Sequence, residues 1–211
     1  MEKRLVIFLG SMGRGGAERV ISLISNYFCD KGWKVWIGLL LFNKVEYELN
    51  PNIKVVDLTG KGQSRIKRLP VWLRNVRGLV KEVKPDAILS FAARINIIVQ
   101  LACAGLKQNI VVSERNDPYM DGRSKLVDFF TSRLYPRANA VVFQTQRAAQ
   151  YFAGVGLNNT VIIPNPISVT EVANKDKKNK IVTVGRLTKQ KNQKMLINAF
   201  SKIIKEFPDY K

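Results

Sequence analysis

Runs of apolar residues return at intervals along this chain, and each is followed by a stretch whose apolar positions fall three and four apart. Residues 4–9 read RLVIFL, a continuous apolar run of the kind a strand carries when both its faces are covered. Helical spacing follows at Val20, Ile21, Ile24, Tyr27 and Phe28, and Gly32 closes that helix. Strand-like runs then recur at 34–42 (KVWIGLLLF), 53–58 (IKVVDL), 86–91 (DAILSF), 109–114 (NIVVSE), 139–145 (NAVVFQT) and 160–167 (TVIIPNPI). Helix-like stretches at 69–84, about 95–105, 123–136 and from 146 separate the later ones. The alternation predicts an α/β fold, a Rossmann-like parallel sheet with helices on both faces.

After Ile167 the pattern lapses. Residues 168–180 (SVTEVANKDKKNK) are polar and charged without core periodicity, and read as a linker. A new cycle opens with IVTVGRL (181–187) as a strand, TKQKN as a loop, and a helix whose apolar positions are Met195, Leu196, Ala199, Ile203 and Phe207. The expected organisation is a first domain at 1–167, a linker at 168–180, and the opening of a second, truncated domain at 181–211. One strand and one helix cannot bury a core. The segment 181–211 is therefore expected to be disordered, to fold back on the first domain, or to pair with a neighbouring chain.

Composition narrows the function classes. The chain has 211 residues, 35 Lys and Arg against 16 Asp and Glu, and a formal charge of +19. So basic a balance implies an anionic partner: phosphorylated substrates, an anionic membrane surface or nucleic acid. Nucleic acid is not expected, because no helix-turn-helix, RNP-like strand or zinc-finger spacing accompanies the charge. Histidine is absent, which excludes histidine-based triads and histidine metal sites within the chain. Cys29 and Cys103 stand alone in apolar surroundings, without CxxC spacing. The first apolar run is too short for a signal segment, and no run approaches a bilayer span, so a cytoplasmic location is expected.

Two stretches carry candidate chemistry. GRGGAER (13–19) lies at the first strand-to-helix turn, where helix amides can meet an anion and glycine lets the backbone come close to it. The stretch is not a dinucleotide fingerprint, because Glu18 stands at the third glycine position, and it lacks the Walker lysine and hydroxyl. A nicotinamide-dependent dehydrogenase is disfavoured for that reason and because the second strand lacks a terminal acid. Position alone leaves two readings of the turn, phosphate contact or a tight corner with Glu18 in the first helical turn. The second stretch, VGRLTKQKN (184–192), sets Arg186 after a strand and Lys191 at a helix start, a placement suited to neutralising a diphosphate.

GRGGAERV, PNPI at the domain crossing, and VGRLTKQKN, in this order and spacing, resemble the retaining nucleotide-sugar glycosyltransferases of family 4, and SERNDP (113–118) is similar to their bacterial surface-polysaccharide branch. The resemblance implies a GT-B architecture and transfer of a hexosyl or N-acetylhexosaminyl group from a nucleoside-diphosphate sugar to a saccharide or polyprenyl-diphosphate-linked acceptor. It also implies that Arg186, Lys191, Gly15 and Gly16 bind the donor diphosphate, the two glycines serving the acceptor phosphate as the alternative. Glu18, Arg94, Glu114, Arg115 and Asp117 are the candidates for the acceptor cleft. A structural ion pair stands beside that role for Glu114 and Arg115, and a plain turn for Asp117. The resemblance also implies a pair of glutamates in the donor domain, in a region that residues 1–211 are not expected to reach, so no catalytic residue is assigned and the chain alone is expected to be inactive. No DxD triplet occurs, and neither metal nor cofactor is expected.

Residues 61–84 hold eight Lys or Arg and one acid. The apolar positions Leu69, Trp72, Leu73, Val76, Leu79, Val80 and Val83 form one helical stripe. Most of that stripe is expected to be core. The cations Lys67, Arg68, Arg74, Arg77, Lys81 and Lys84, with Trp72, are the candidates for contact with an anionic membrane, which places the protein peripherally on the inner face of the plasma membrane. The rival reading is a non-catalytic basic Rossmann-like module that binds anionic membrane or nucleic acid.

Overall fold

The computed structural model of the protein describes residues 2–60, 65–167, 179–185, 187 and 191–211, with backbone alone at 65–67. The chain forms two compact units, Met1–Pro166 and Ile167–Lys211.

The first unit is a seven-stranded sheet, β1 (Arg4–Leu9), β2 (Lys34–Leu39), β3 (Lys54–Asp57), β4 (Ala87–Phe91), β5 (Ile110–Ser113), β6 (Ala140–Phe143) and β7 (Thr160–Ile162), in the order β3-β2-β1-β4-β5-β6-β7. Each neighbouring pair is parallel. The helices are α1 (Gly16–Asp30), α2 (Arg65–Val83), α3 (Ala93–Ala102), α4 (Lys125–Leu134) and α5 (Gln146–Tyr151).

The alternation along β1 explains its unbroken apolar run. Val6 and Phe8 belong to one core with Val76, Leu79 and Val80 of α2 and Ile95 and Val99 of α3. Leu5, Ile7 and Leu9 belong to another with Val20 and Ile21 of α1. A third core gathers Val112, Tyr135, Val141, Phe143 and Phe152 at the far side of the sheet. Gly38 faces Phe8 across the β1–β2 pair. A Cβ there would stand 2.8 Å from Phe8 Cδ1 and 2.9 Å from Leu58 Cδ1. Gly38→Ala is therefore expected to cost about 1–3 kcal/mol by overpacking, read as a lowered denaturant midpoint at unchanged slope.

Two expectations are corrected here. The helix expected from 69 begins at Arg65 and carries Pro70 inside it. A proline so near the start forfeits one backbone hydrogen bond, and the apolar stripe beyond it, packed on the core, sustains the helix. The strand expected at 181–187 is not formed among the described residues of that stretch. A strand needs a neighbour, and the bonds made there are Ile181 N–H to the Lys211 carbonyl (2.8 Å) and Lys211 N–H to the Asn179 carbonyl (2.9 Å). The helix of this second unit, α6 (Gln193–Ile203), does form. Its Met195 and Ile197 are exposed, as is Phe207 beyond it. Of the expected linker at 168–180, residues 168–178 lie outside the described residues.

Candidate functional site

The order of the strands places a topological switch between β1 and β4, from which the chain winds outward in both directions. Ligands of open parallel sheets bind at the carboxyl edge near such a point. That edge carries the turn from β1 into α1, the turn from β4 into α3, and the segments leaving β5, β6 and β7. Both helices that start at the switch do so without a side-chain cap, α1 after Gly15 and α3 after Ala92. By contrast, Ser124 and Thr145 cap α4 and α5 with their hydroxyls. Ala92 also has φ +73°, a conformation that costs an alanine about 1–3 kcal/mol, and it is held by its N–H to the Ser113 carbonyl (3.1 Å).

The glycine turn is shaped from outside itself. Met12 forms a parallel bridge with Val45, its N–H bonding the Lys44 carbonyl (2.9 Å) and its carbonyl accepting from Glu46 N–H (2.8 Å). Arg14 N–H donates to Glu46 Oε2 (2.9 Å), and Tyr47 Oη–H donates to the Gly15 carbonyl (3.0 Å). Lys44 pairs with Glu46 at 2.9 Å, and the hydrogen bond from this lysine is the main reason the Glu46 carboxyl titrates below its ordinary value. Nothing in the run FNKVEY announced this clamp, since it depends on where the loop after β2 comes to rest. Tyr47→Phe is expected to cost about 1 kcal/mol and to speed amide exchange in the first turn of α1.

A Cβ on Gly15 would meet only the carboxylate of Glu18, the flexible end of a side chain that folds back over this position. This gives Glu18 a place at the helix start, in the manner of an N3 acid. Gly16 is different. Its Cβ would meet only Asn165 Nδ2, at 3.6 Å, so the position has room.

Asn165 joins three motifs that lie far apart in sequence. It belongs to the PNPI segment after β7, it borders Gly16, and its Oδ1 accepts a short hydrogen bond from Arg115 Nη2. The Arg115 guanidinium lies 5.2 Å from the centre of the Phe91 ring and reaches Ser113 Oγ at 3.4 Å. Gln144, with its amide oxygen turned toward Arg115 Nη2 (3.0 Å) and its nitrogen toward the Arg115 carbonyl (3.0 Å), closes the other side. Arg115 Nε has no partner among the described residues. Partial burial lowers the guanidinium's pKa from its ordinary value, yet an arginine so placed stays charged at neutral pH. A half-buried, braced cation beside open helix amides is suited to a phosphate, which can take the fork bidentately.

Adjacent Glu114 turns the other way. Its side chain is fully buried and forms an ion pair with Arg123. Tyr135 Oη–H donates to Glu114 Oε2 (2.8 Å), and Arg123 Nη2 stands 3.3 Å from the same oxygen and 2.8 Å from Asp121 Oδ2. Asn96 Nδ2 donates to Tyr135 Oη (3.0 Å), and Ser90 Oγ donates to Asn96 Oδ1 (2.8 Å). Burial raises the pKa of the Glu114 carboxyl, against the pull of Arg123 and Tyr135. Burial disfavours the Arg123 charge too, but its bonds to Asp121 and the Glu114 charge more than offset this and raise it.

Asp117 is a turn residue. Its Oδ1 accepts from Tyr119 N–H (3.0 Å), and its Oδ2 pairs with Arg147 Nε (3.2 Å). Arg94 is exposed on the first turn of α3, at the same edge. Lys191 is exposed in the turn before α6, its Cγ 3.6 Å from where a Cβ on Gly185 would sit. Arg186 lies outside the described residues.

Two of the membrane candidates on α2 have partners within the first unit. Trp72 packs on the core and donates its indole N–H to the Thr59 carbonyl (3.3 Å). Arg77 Nη1 donates to the carbonyls of Ala102 (2.8 Å) and Ala104 (2.9 Å) at the end of α3. Arg77 reaches the carbonyls that end α3 because α2 and α3 pack side by side, while Trp72 reaches the loop that follows β3. Arg74, Lys81 and Lys84 are exposed, Arg68 is half-buried, and the Lys67 side chain is outside the described residues.

Comparison with known proteins follows this geometry. The profile described as Glycosyltransferase Family 4 matches residues 14–171. A relative from Campylobacter jejuni subsp. jejuni serotype O:2 is named N-acetylgalactosamine-N,N'-diacetylbacillosaminyl-diphospho-undecaprenol 4-alpha-N-acetylgalactosaminyltransferase. It is 29% identical over 225 residues, covering 95% of this chain and 60% of that protein. A second from the same organism, GalNAc-alpha-(1->4)-GalNAc-alpha-(1->3)-diNAcBac-PP-undecaprenol alpha-1,4-N-acetyl-D-galactosaminyltransferase, is 24% identical, covering 98% of this chain and 59% of its own length. The chain thus spans about 60% of these relatives. Among solved structures, Anabaena Alr3699/HepE in complex with UDP and glucose shares the fold with a TM-score of 0.70 at 16% identity, over 95% of this chain and 58% of that one.

Proposed function

The chain belongs to Glycosyltransferase Family 4, and from that premise we propose that its first unit is the acceptor-side domain of a retaining enzyme that moves a sugar from a nucleoside diphosphate to a lipid-linked saccharide. The observation that carries the reading is the convergence of Gly16, Asn165 and Arg115 at the carboxyl edge of the sheet. A braced guanidinium and uncapped helix amides together recognise a diphosphate, and both Campylobacter relatives are named for undecaprenol-linked substrates carrying that group. In this reading Arg115 and the amides after Gly15 hold the acceptor's diphosphate, with Arg94 at the margin. Arg186 and Lys191 hold that of the donor, as the family resemblance implies. The lipid-linked saccharide is taken at the inner face of the membrane.

The test is transfer by the protein that carries this chain, from nucleoside-diphosphate N-acetylhexosamines to undecaprenyl-diphosphate-linked saccharides, with the anomeric configuration of the product read by NMR. Retention of the donor's configuration is the expected result. Inversion, or transfer confined to acceptors without a diphosphate, would overturn the proposal.

A further inference from the structure

Phe42, in the loop after β2, is 68% exposed, more than any other aromatic side chain among the described residues. Tyr27, Tyr119, Phe129, Phe207 and Tyr210 are exposed as well, but each of those meets another aromatic ring. The Phe42 ring has neither an aromatic nor a cationic partner among the described residues. Its apolar neighbours in the loop, Leu41 (40%) and Val45 (42%), are exposed too.

The loop that carries this ring is braced along its length. Leu41 N–H and Phe42 N–H both donate to the Gly10 carbonyl (2.8 and 3.1 Å), and Lys44 N–H donates to the Phe42 carbonyl (3.0 Å). The Leu41 side chain lies over Gly10, where a Cβ would stand 2.9 Å from Leu41 Cδ1. The Met12–Val45 bridge and the bonds of Arg14 and Tyr47 fix the other end. Loop and glycine turn are therefore one body, and Phe42 keeps a set place beside the helix amides after Gly15. Because β2 runs parallel to β1 and next to it, the loop stands at the same carboxyl edge of the sheet as Arg115. A bare ring on a braced loop at a binding edge is preorganised for a ligand.

The polar groups beside the ring select its occupant. Asn43 is exposed, with no partner for its amide among the described residues, and Lys44 pairs with Glu46 at 2.9 Å. A pyranose offers polarised C–H groups on one face, which an aromatic face attracts, and hydroxyls at its rim, which amides and charges bond. A hydrocarbon chain would cover the ring but strip water from Asn43 and Glu46 without replacing those hydrogen bonds.

We propose that Phe42 is the stacking platform for a sugar ring of the acceptor, with Asn43 and the Lys44–Glu46 pair bonding its hydroxyls, and that it sets which saccharide is accepted. The proposal rests on the reading that the acceptor is a saccharide diphosphate held at Gly16 and Arg115. The saccharide then lies along the edge from that diphosphate toward the loop after β2.

The test is saturation-transfer NMR of methyl N-acetyl-α-galactosaminide and methyl N-acetyl-α-glucosaminide with the protein that carries this chain. Saturation of the aromatic protons is expected to reach the ring protons of at least one glycoside. Phe42→Ala and Phe42→Leu are expected to weaken its binding about tenfold at an unchanged melting temperature, and Phe42→Tyr to retain it. Pyrophosphate should bind all four proteins alike. In transfer assays Phe42→Ala should raise KM for the acceptor about tenfold and leave kcat within about twofold. The proposal is overturned if neither glycoside receives saturation from the wild type, or if Phe42→Ala binds like wild type. Wild-type binding by Phe42→Leu also overturns it, since apolar bulk without a ring would then suffice, as for a lipid or protein partner. Glycoside binding that depends on Phe42 in a protein that takes no pyrophosphate sinks the phosphate role of Arg115 and leaves the platform standing.

Discussion

Arg123→Ala is expected to lower the unfolding free energy by about 3–5 kcal/mol at neutral pH, the usual cost of removing one partner from a buried ion pair. Arg123 is the cation in contact with two carboxylates, Glu114 and Asp121, whose side chains are 0% and 11% exposed, and its own is 5% exposed. Without it both acids remain in a medium that disfavours charge. The loss should depend on pH in a definite direction. Burial already raises the Glu114 carboxyl above its ordinary value, and Arg123 is the first cause opposing that rise. A group with a raised native value holds more protons folded than unfolded. Its contribution to stability is present below the unfolded value, about 4.3, and is lost as pH climbs through the native one. Removing Arg123 pushes that native value higher, so the variant should lose stability more steeply with rising pH and be least damaged in acid. Denaturant unfolding at pH about 7 and about 4 measures this. Equal losses at both would mean that Arg123 acts by packing over Phe152 and Tyr151, which its guanidinium also touches. Glu114→Gln, which keeps an acceptor for Tyr135 and leaves Arg123 with Asp121, should cost markedly less.

Arg115→Ala makes the opposite separation, a large loss of ligand with little change in stability. The side chain is half-buried, its Nε is unpartnered, and its hydrogen bonds reach neutral groups, so the fold depends on it weakly. A phosphate in the fork would make charge-assisted bonds worth about 1.5–3 kcal/mol. Pyrophosphate binding is accordingly expected to weaken about 10- to 150-fold. Arg115→Lys, a point charge without the planar fork, should fall between the two. Calorimetric titration alongside a thermal melt reads both quantities at once. An alanine variant that binds pyrophosphate like wild type would show that Asn165 and Gln144 brace Arg115 for structure alone.

The periodicity of apolar residues contained the architecture of the first unit. RLVIFL read as a strand covered on both faces, and Val6 and Phe8 do enter one core while Leu5, Ile7 and Leu9 enter another. Burial is a property of local spacing, so a parallel sheet is legible without knowing what lies beside each strand. The glycine turn was legible in the same way, as small residues where a strand becomes a helix. IVTVGRL had equally good strand spacing and formed none among its described residues, because spacing cannot supply a partner for its backbone groups.

Adjacent residues with similar chemistry went to different fates for the same kind of reason. Glu114 and Arg115 were interchangeable as cleft candidates in sequence. One meets Tyr135 and Arg123 in the interior and the other meets Asn165 and Gln144 at the edge. Trp72 and Arg77 read alike as membrane candidates in sequence, and the fold gives each a carbonyl partner, Thr59 for the one and Ala102 and Ala104 for the other. The chain's own order of residues thus determined the sheet, the helices and the glycine turn at the switch point. Which charged side chains stay at that turn, and which are spent inside, was decided only by contacts between segments up to 50 residues apart, since hydrogen bonds and burial follow distance in space.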